Sequence, residues 1–148
     1  MVGLIKKASL SLMALFLVTL TVSAEDYAGR SKKTLGFDWN PVMDAIIKVE
    51  SEGNPRAVSG NSVGVMQITP VLVKECNTIL SKRKSKKRYT LEDRYSVEKS
   101  KEMFLLIQSY FNPENSVEKA IRSWNGGINY GIKATNRYYQ KVMARMNK

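Results

Sequence analysis

Apolar residues recur at helical spacing in five stretches of this chain, and between the first two lies a polar, glycine-bearing segment that fits no helix. The first stretch opens at Asn40-Pro41, a capping residue followed by proline at the first helical position, and stops before Gly53-Asn54-Pro55. Within it Met43, Ile46, Ile47 and Glu50 fall at i, i+3, i+4 and i+7, which predicts a helix over Val42–Glu50 with a carboxylate where a leucine is expected. Thr69-Pro70 repeats the cap and proline, and Leu72, Cys76, Ile79 and Leu80 give a second helical stripe. Ser96 caps a third helix with Glu98 in its first turn, Val97, Met103, Phe104, Ile107 and Phe111 on one face, and Asn112-Pro113 as its end. Asn115 and Glu118 have the spacing of a capping box for a fourth, carrying Val117, Ala120, Ile121 and Trp124 and breaking at Asn125-Gly126-Gly127. The last, about Tyr130 to Met146, turns Ile132, Thr135, Tyr138, Tyr139, Val142 and Met146 toward the core, although Tyr138 and Tyr139 cannot both face inward.

Glu50 is the chemically interesting departure from the pattern. An apolar surrounding and the negative end of the helix dipole both disfavour its charged form, so its pKa is expected to rise. An acid protonated near neutral pH can donate to a leaving oxygen, as glycoside cleavage requires. Read as a frayed last turn, the same residue points to solvent, and the helix alone does not choose. Glu52 is expected to be solvated. Ser51 and Ser59 are hydroxyls able to orient the acid or simply to make a turn. Trp124 beside Asn125 at a helix end can stack on a sugar and bond its substituents, or be a core tryptophan followed by a turn. One of Tyr138 and Tyr139 is placed to offer its hydroxyl to Glu50.

Composition narrows the setting. The 148 residues are 43% hydrophobic and 25% charged, which suits one globular domain without need of a second. Lys6 and Lys7 precede the apolar run Leu10–Val22, and Val22-Ser23-Ala24 has the small residues of a cleavage site, so residues 1–24 read as a secretory signal peptide. The run is shorter than the roughly 20 residues of a membrane span. Residues 25–38 read as an N-terminal arm docking through Phe37 and Trp39, and 39–148 as the domain proper. Localisation is then a bacterial periplasm or envelope, and Cys76, a lone cysteine, is expected to be apolar filling.

The chain has no histidine, which excludes a Ser-His-Asp triad, a Cys-His pair and the usual zinc constellations. Its formal charge is +11, or 11 − 2 = +9 without Lys6 and Lys7, so an anionic partner is expected. Six of the seven residues in Lys82–Arg88 are basic, which makes that run an exposed loop: a solvated face or a general contact with polyanions of the envelope. Specific nucleic-acid binding is not expected, because interleaved aromatics or an adjoining recognition helix are missing from the run.

Glu50-Ser51, Asn54-Pro55, Ala57-Val58-Ser59, Gly64, Met66-Gln67-Ile68 and Pro70, followed by Trp124-Asn125 with Gly127 and then Tyr139 with Val142, resemble the family 1 lytic transglycosylases, the soluble-lytic-transglycosylase or lysozyme-like domain. The resemblance covers roughly Trp39 to Val142. It implies an all-α, lysozyme-like single domain with a substrate cleft, cleaving the β-1,4 bond between N-acetylmuramic acid and N-acetylglucosamine in peptidoglycan glycan strands without metal or organic cofactor. Glu50 is implied as the acid that protonates the bridging oxygen and later as the base for the C6 hydroxyl, whose attack leaves a 1,6-anhydro end. The substrate's own N-acetyl oxygen replaces a second protein carboxylate, an arrangement known among glycosidases. Ser59 and Gln67 are implied to line the site, Met66 to shape the sugar subsite, and Asn125 and Tyr139 to contact the sugar or the glutamate. Trp124 departs from the family's usual tyrosine, keeping a stacking face without a hydroxyl, and Ser96-Val97 with Ser100 replaces the frequent Asn-Ile and glycine. A goose-type lysozyme-like hydrolase on the same scaffold, or a non-catalytic envelope-binding or assembly subunit, are the alternative readings. The small exported form favours opening a passage for a secretion or conjugation apparatus over wall recycling or a phage-like role.

Overall fold

The computed structural model describes residues 36–147. The expected signal peptide and most of the expected arm lie outside the described residues. Among the described residues five helices follow one another: α1 (Asn40–Ser51), α2 (Pro70–Lys82), α3 (Val97–Phe111), α4 (Val117–Gly126) and α5 (Ile132–Met146). Between α1 and α2 sits a small antiparallel hairpin, β1 (Val58–Ser59) and β2 (Ser62–Val63), and a 3-10 turn, Glu92–Tyr95, precedes α3. The all-α reading of the sequence is the observed class, with the hairpin and the 3-10 turn as unforeseen additions.

Local chemistry explains most of the helix starts. Thr69 Oγ1 accepts from Leu72 N at 3.2 Å and Ser96 Oγ from Lys99 N at 3.2 Å, the expected caps. Two expectations are corrected. Asn40 does not cap α1; its own amide groups donate to Asp38 Oδ1 at 3.0 and 2.8 Å, so the acceptor at the helix start is a carboxylate two residues earlier. The fourth helix is capped by Ser116, which accepts from Lys119 N, rather than by Asn115, which takes a left-handed φ of 55°. Glu118 is consequently free of the box and pairs with Arg122 at 2.7 Å.

The core draws on every helix: Val42, Met43 and Ile46 of α1, Cys76 and Ile79 of α2, Met103 and Phe104 of α3, Ala120 and Ile121 of α4, and Val142 of α5 are all buried. Helix α5 packs against α1 and α4, and α2 against α3. Phe104 stands at the centre of an aromatic file, 5.6 Å from Trp39 and 5.2 Å from Trp124 between ring centroids, so core packing fixes where Trp124 stands. Truncating Phe104 to alanine removes about 3–5 kcal/mol of stability. Cys76 is fully buried and its thiol is pushed up to about 12 by burial, which makes it an inert filler. Ile132, expected inward, is instead 58% exposed, because α5 begins there with its buried face carried by Thr135 and Val142.

The basic run leaves the end of α2 and is fastened on both sides. Asn77 bonds the backbone of Tyr89 twice, at 2.8 Å each, and Lys87 pairs with Glu102 at 2.6 Å. Lys82 and Arg83 lie over the Tyr110 ring. Among the described residues Lys87 is the one cation of the six with a carboxylate partner, so the run presents net positive charge to solvent.

Candidate active site

Glu50 lies in the last turn of α1, half-buried, with Met43 and Ile46 of the same stripe fully buried beneath it. The frayed, solvent-facing alternative is therefore not the one adopted. Burial raises its pKa above the ordinary carboxylate value, and a hydrogen bond from the Tyr138 hydroxyl to Oε1 at 2.7 Å opposes part of that rise. Burial, and then the neighbouring Glu50 charge, raises the Tyr138 phenol, so it remains a donor. Helix α1 ends immediately afterward: Glu52 takes a left-handed φ of 54° and turns outward to Lys48 at 2.6 Å and Arg145 at 3.8 Å. Contact with Lys48 lowers the Glu52 carboxyl. A depression of about 380 Å³ beside it, lined by Val49, Glu52, Lys141, Ala144 and Arg145, thus holds an exposed, ionised acid and no proton donor for glycoside chemistry.

The loop facing Glu50 is held by side chains bonded to backbone. Ser51 Oγ reaches Val65 O at 2.8 Å and Ile47 O at 3.2 Å, which ties the helix end to the loop instead of orienting Glu50. Gln67, at a left-handed φ of 51°, donates from Nε2 to Gly64 O at 3.0 Å and Ala57 O at 3.3 Å. Behind the loop the nearly buried Arg94 donates from Nε to Leu91 O at 2.8 Å and from Nη1 to Asn61 O at 3.1 Å and Ile68 O at 3.3 Å. Among the described residues it has no carboxylate partner, so this guanidinium serves as a three-carbonyl clamp between the 3-10 turn and the hairpin loop. Gly64 makes that approach possible: its φ is +79°, and a β-carbon there would overlap the Arg94 carbonyl.

Trp124 closes the opposite side. Its indole Nε1 donates to Met66 O at 3.2 Å, joining the end of α4 to the loop. Glu50, Ser59, Ser62, Gln67, Thr69, Leu72, Trp124 and Asn125 together line a cavity of about 250 Å³, in which Glu50 is the single carboxylate.

Of the residues singled out from sequence, Glu50, Ser59, Gln67, Trp124 and Asn125 therefore meet around one cavity. Three stand elsewhere. Ser51 braces the loop. Met66 is fully buried, contributing its side chain to the core and its carbonyl to Trp124 in place of a cavity wall. Tyr139 does not reach Glu50; it lies against the Arg122 guanidinium, 4.3 Å from its ring, and that cation is itself held by Glu118, Ile132 O and Thr135. Successive helical residues point about 100° apart, so only one of the two tyrosines can meet α1, and it is Tyr138. Ser62, Thr69, Leu72 and Arg94 escaped the sequence reading. Thr69 and Leu72 gave only helix signals, and an arginine bonded solely to carbonyls has no local signature.

A small all-α domain whose tryptophan-walled cleft is lined by a single, half-buried carboxylate with a phenol bonded to it is of the lysozyme-like class. Residues 26–147 match the family model described as Transglycosylase SLT domain, and the chain belongs to that family. Neither the curated proteins nor the solved structures gave a match. The family is associated with lytic transglycosylases, which gives the chain an activity of that general type and peptidoglycan as its substrate.

Proposed function

We propose that the protein is an exported lytic transglycosylase that cleaves the N-acetylmuramic acid β-1,4-N-acetylglucosamine bond, with Glu50 acting first as acid and then as base. The protonated carboxyl gives its proton to the bridging oxygen as the C1–O bond breaks, and the substrate's N-acetyl carbonyl oxygen bonds to C1. The carboxylate so formed takes the proton of the C6 hydroxyl, whose oxygen displaces the acetamido oxygen from C1. Glu50 ends protonated, the sugar ends as the 1,6-anhydro form, and no water is consumed.

The observation that carries this reading is the solitary, half-buried Glu50 bonded by Tyr138. Burial favours the acid needed in the first step, and the phenol supports the carboxylate needed in the second. Gln67 and Asn125 supply amides at the cavity wall, and Trp124 supplies an aromatic surface. A mechanism with two protein carboxylates would need a second acid in the same cavity, and the lining residues include none.

Mass spectrometry of peptidoglycan digested by the purified protein is the test. Products lighter by one water than hydrolysed ends are expected, and Glu50→Gln is expected to abolish them. Reducing ends alone would make the protein a goose-type hydrolase, binding without solubilisation by the wild type would leave it a binding subunit, and unchanged solubilisation by Glu50→Gln would take the catalytic role from Glu50.

A further inference from the structure

The basic run that follows α2 has no part in the cavity at Glu50. Lys82, Arg83, Lys84, Lys86, Lys87 and Arg88 are all exposed. Among the described residues only Lys87 pairs with a carboxylate, and that carboxylate, Glu102, is shared with Lys99 at 3.2 Å. Five of the six cations are therefore left facing solvent. Like charges so close together repel, and a loop that merely carried them would spread. This one is folded upon itself instead. Lys84 N donates to Ser81 O and Ser85 N to Leu80 O, each at 2.9 Å, and Arg88 Nη1 donates to Ser85 O at 2.7 Å and Lys87 O at 2.6 Å. Lys84 makes the turn at a left-handed φ of 55°, a conformation in which glycine is unstrained and a cation stands here. With Asn77 holding Tyr89 at its far end, the loop has its charges in place before a partner arrives, which lowers the ordering cost of binding.

The surroundings of the run choose among anions. A nucleic-acid strand needs a groove that tracks its phosphates and open aromatic faces for its bases. The tyrosines at the run offer neither: Tyr89 is buried, and the Tyr110 ring lies under Lys82 at 5.3 Å and Arg83 at 5.8 Å. A groove of about 530 Å³ beside Trp124 reaches the run at Lys82 alone, so the other cations stand outside it. Tyr110 is 37% exposed and its hydroxyl is held by Lys82 Nζ at 3.2 Å, which makes it an amphipathic ring among cations. Cations outside any pocket, with a tyrosine at their edge, suit a layer of lipid headgroups, where phosphate is spread over a surface and the ring settles at headgroup level.

We propose that Lys82–Arg88 docks the protein on an anionic phospholipid surface, the cations on headgroup phosphates and Tyr110 at their margin. An exported chain, as proposed above, meets such a surface on the membrane it has crossed. Each cation near an anionic bilayer is worth about fivefold in affinity, so the unpaired ones suffice for reversible association without an anchor. A small domain is on the order of 30 Å across, so a docked molecule works on the glycan nearest the membrane.

Sedimentation of the exported, processed protein with vesicles is the test. Vesicles of phosphatidylcholine with about one third phosphatidylglycerol are expected to carry the protein down, and vesicles of phosphatidylcholine alone are not. Binding should be lost between about 0.1 and 1 M salt, as the screening length falls from about 10 to 3 Å. Lys84→Glu combined with Lys86→Glu, both at exposed positions, is expected to weaken binding at least about tenfold without changing the melting temperature. Lys133→Glu, exposed on α5 away from the run, is expected to keep it. Equal binding to the two kinds of vesicle, or binding indifferent to the double reversal, overturns the proposal. So does a higher affinity, at equal phosphate, for soluble polyphosphate, which would make the run a site for polyanion chains and not for a surface. Because the vesicles carry no glycan, none of these results depends on the reaction at Glu50.

Discussion

The Tyr138 hydroxyl stands 2.7 Å from Glu50 Oε1, joining residues 88 positions apart and setting two opposed influences on one proton. Burial raises the pKa of the carboxyl and so favours its acid form, while the phenol lends a donor to the carboxylate. The Tyr138→Phe change deletes only the second influence, so the Glu50 pKa climbs further. The alkaline limb of the rate profile, where the acid is lost, should move to higher pH, with kcat reduced about tenfold. Tyr139→Phe, which keeps the ring on Arg122, should leave the limb in place. A pH–rate profile of the two variants distinguishes them, and an unmoved limb in Tyr138→Phe would contradict the pairing.

Glu50→Gln separates chemistry from stability. Activity should fall by about 10²–10⁴-fold, the usual value of a positioned general acid. The folded-state pKa of Glu50 is raised above 4.5, so its stabilising contribution is full below that value and is lost as pH rises through the folded pKa. At neutral pH the amide variant, free of a buried charge, should therefore melt at or above the wild-type temperature, and the difference should shrink below pH 4. Thermal melts across that range decide it; a variant less stable at pH 7 than at pH 4 relative to wild type would reverse the sign.

Gly64 and Gly53 make a matched pair. Both have positive φ, +79° and +85°, but only Gly64 has backbone where a side chain would go. Gly53→Ala should lose about 1 kcal/mol in urea unfolding, the penalty of the left-handed conformation alone. Gly64→Ala should lose several times that and lower activity with it, since the Arg94 segment must retreat.

Arg94→Met should open the hairpin loop without unfolding the bundle. The carbonyls of Leu91, Asn61 and Ile68 lose a charged donor, a loss of about 1–3 kcal/mol. Hydrogen exchange should quicken at residues 58–68 and stay slow in α3. Uniform acceleration would mean that the clamp serves the whole fold and not the active-site loop.

The helices were legible because each announces its apolar stripe and its stop, and Glu50 because it interrupts a stripe. The choice between Tyr138 and Tyr139 was not: with Thr135 and Val142 buried, both i+3 and i+4 from Thr135 satisfy the same helical period. Asn40 and Asn115 misled for a related reason. Asn115 lies one residue from Ser116 and Asn40 two from Asp38, each a group able to accept at the helix start, and capping is decided by geometry finer than spacing. The hairpin gave too short a pattern to register, two residues per strand, and Arg94 works wholly through carbonyls distant in sequence. The polar segment between α1 and α2 was located, but which of its side chains face the cavity and which tie the backbone depended on contacts that spacing does not encode.

The bond from Trp124 to Met66 carries a consequence for what the cleft can discriminate. Its nitrogen is already committed to a backbone carbonyl and one side of the ring is taken by Phe104. The indole therefore presents carbon alone to the cleft, a surface for the C–H face of a ring that offers no hydrogen bond to a hydroxyl. The amides on the cavity wall are those of Gln67, bound to its own loop, and Asn125, which is solvent-exposed. In this protein the tryptophan is a surface for contact by shape, and polar contact is left to its neighbours on the cavity wall.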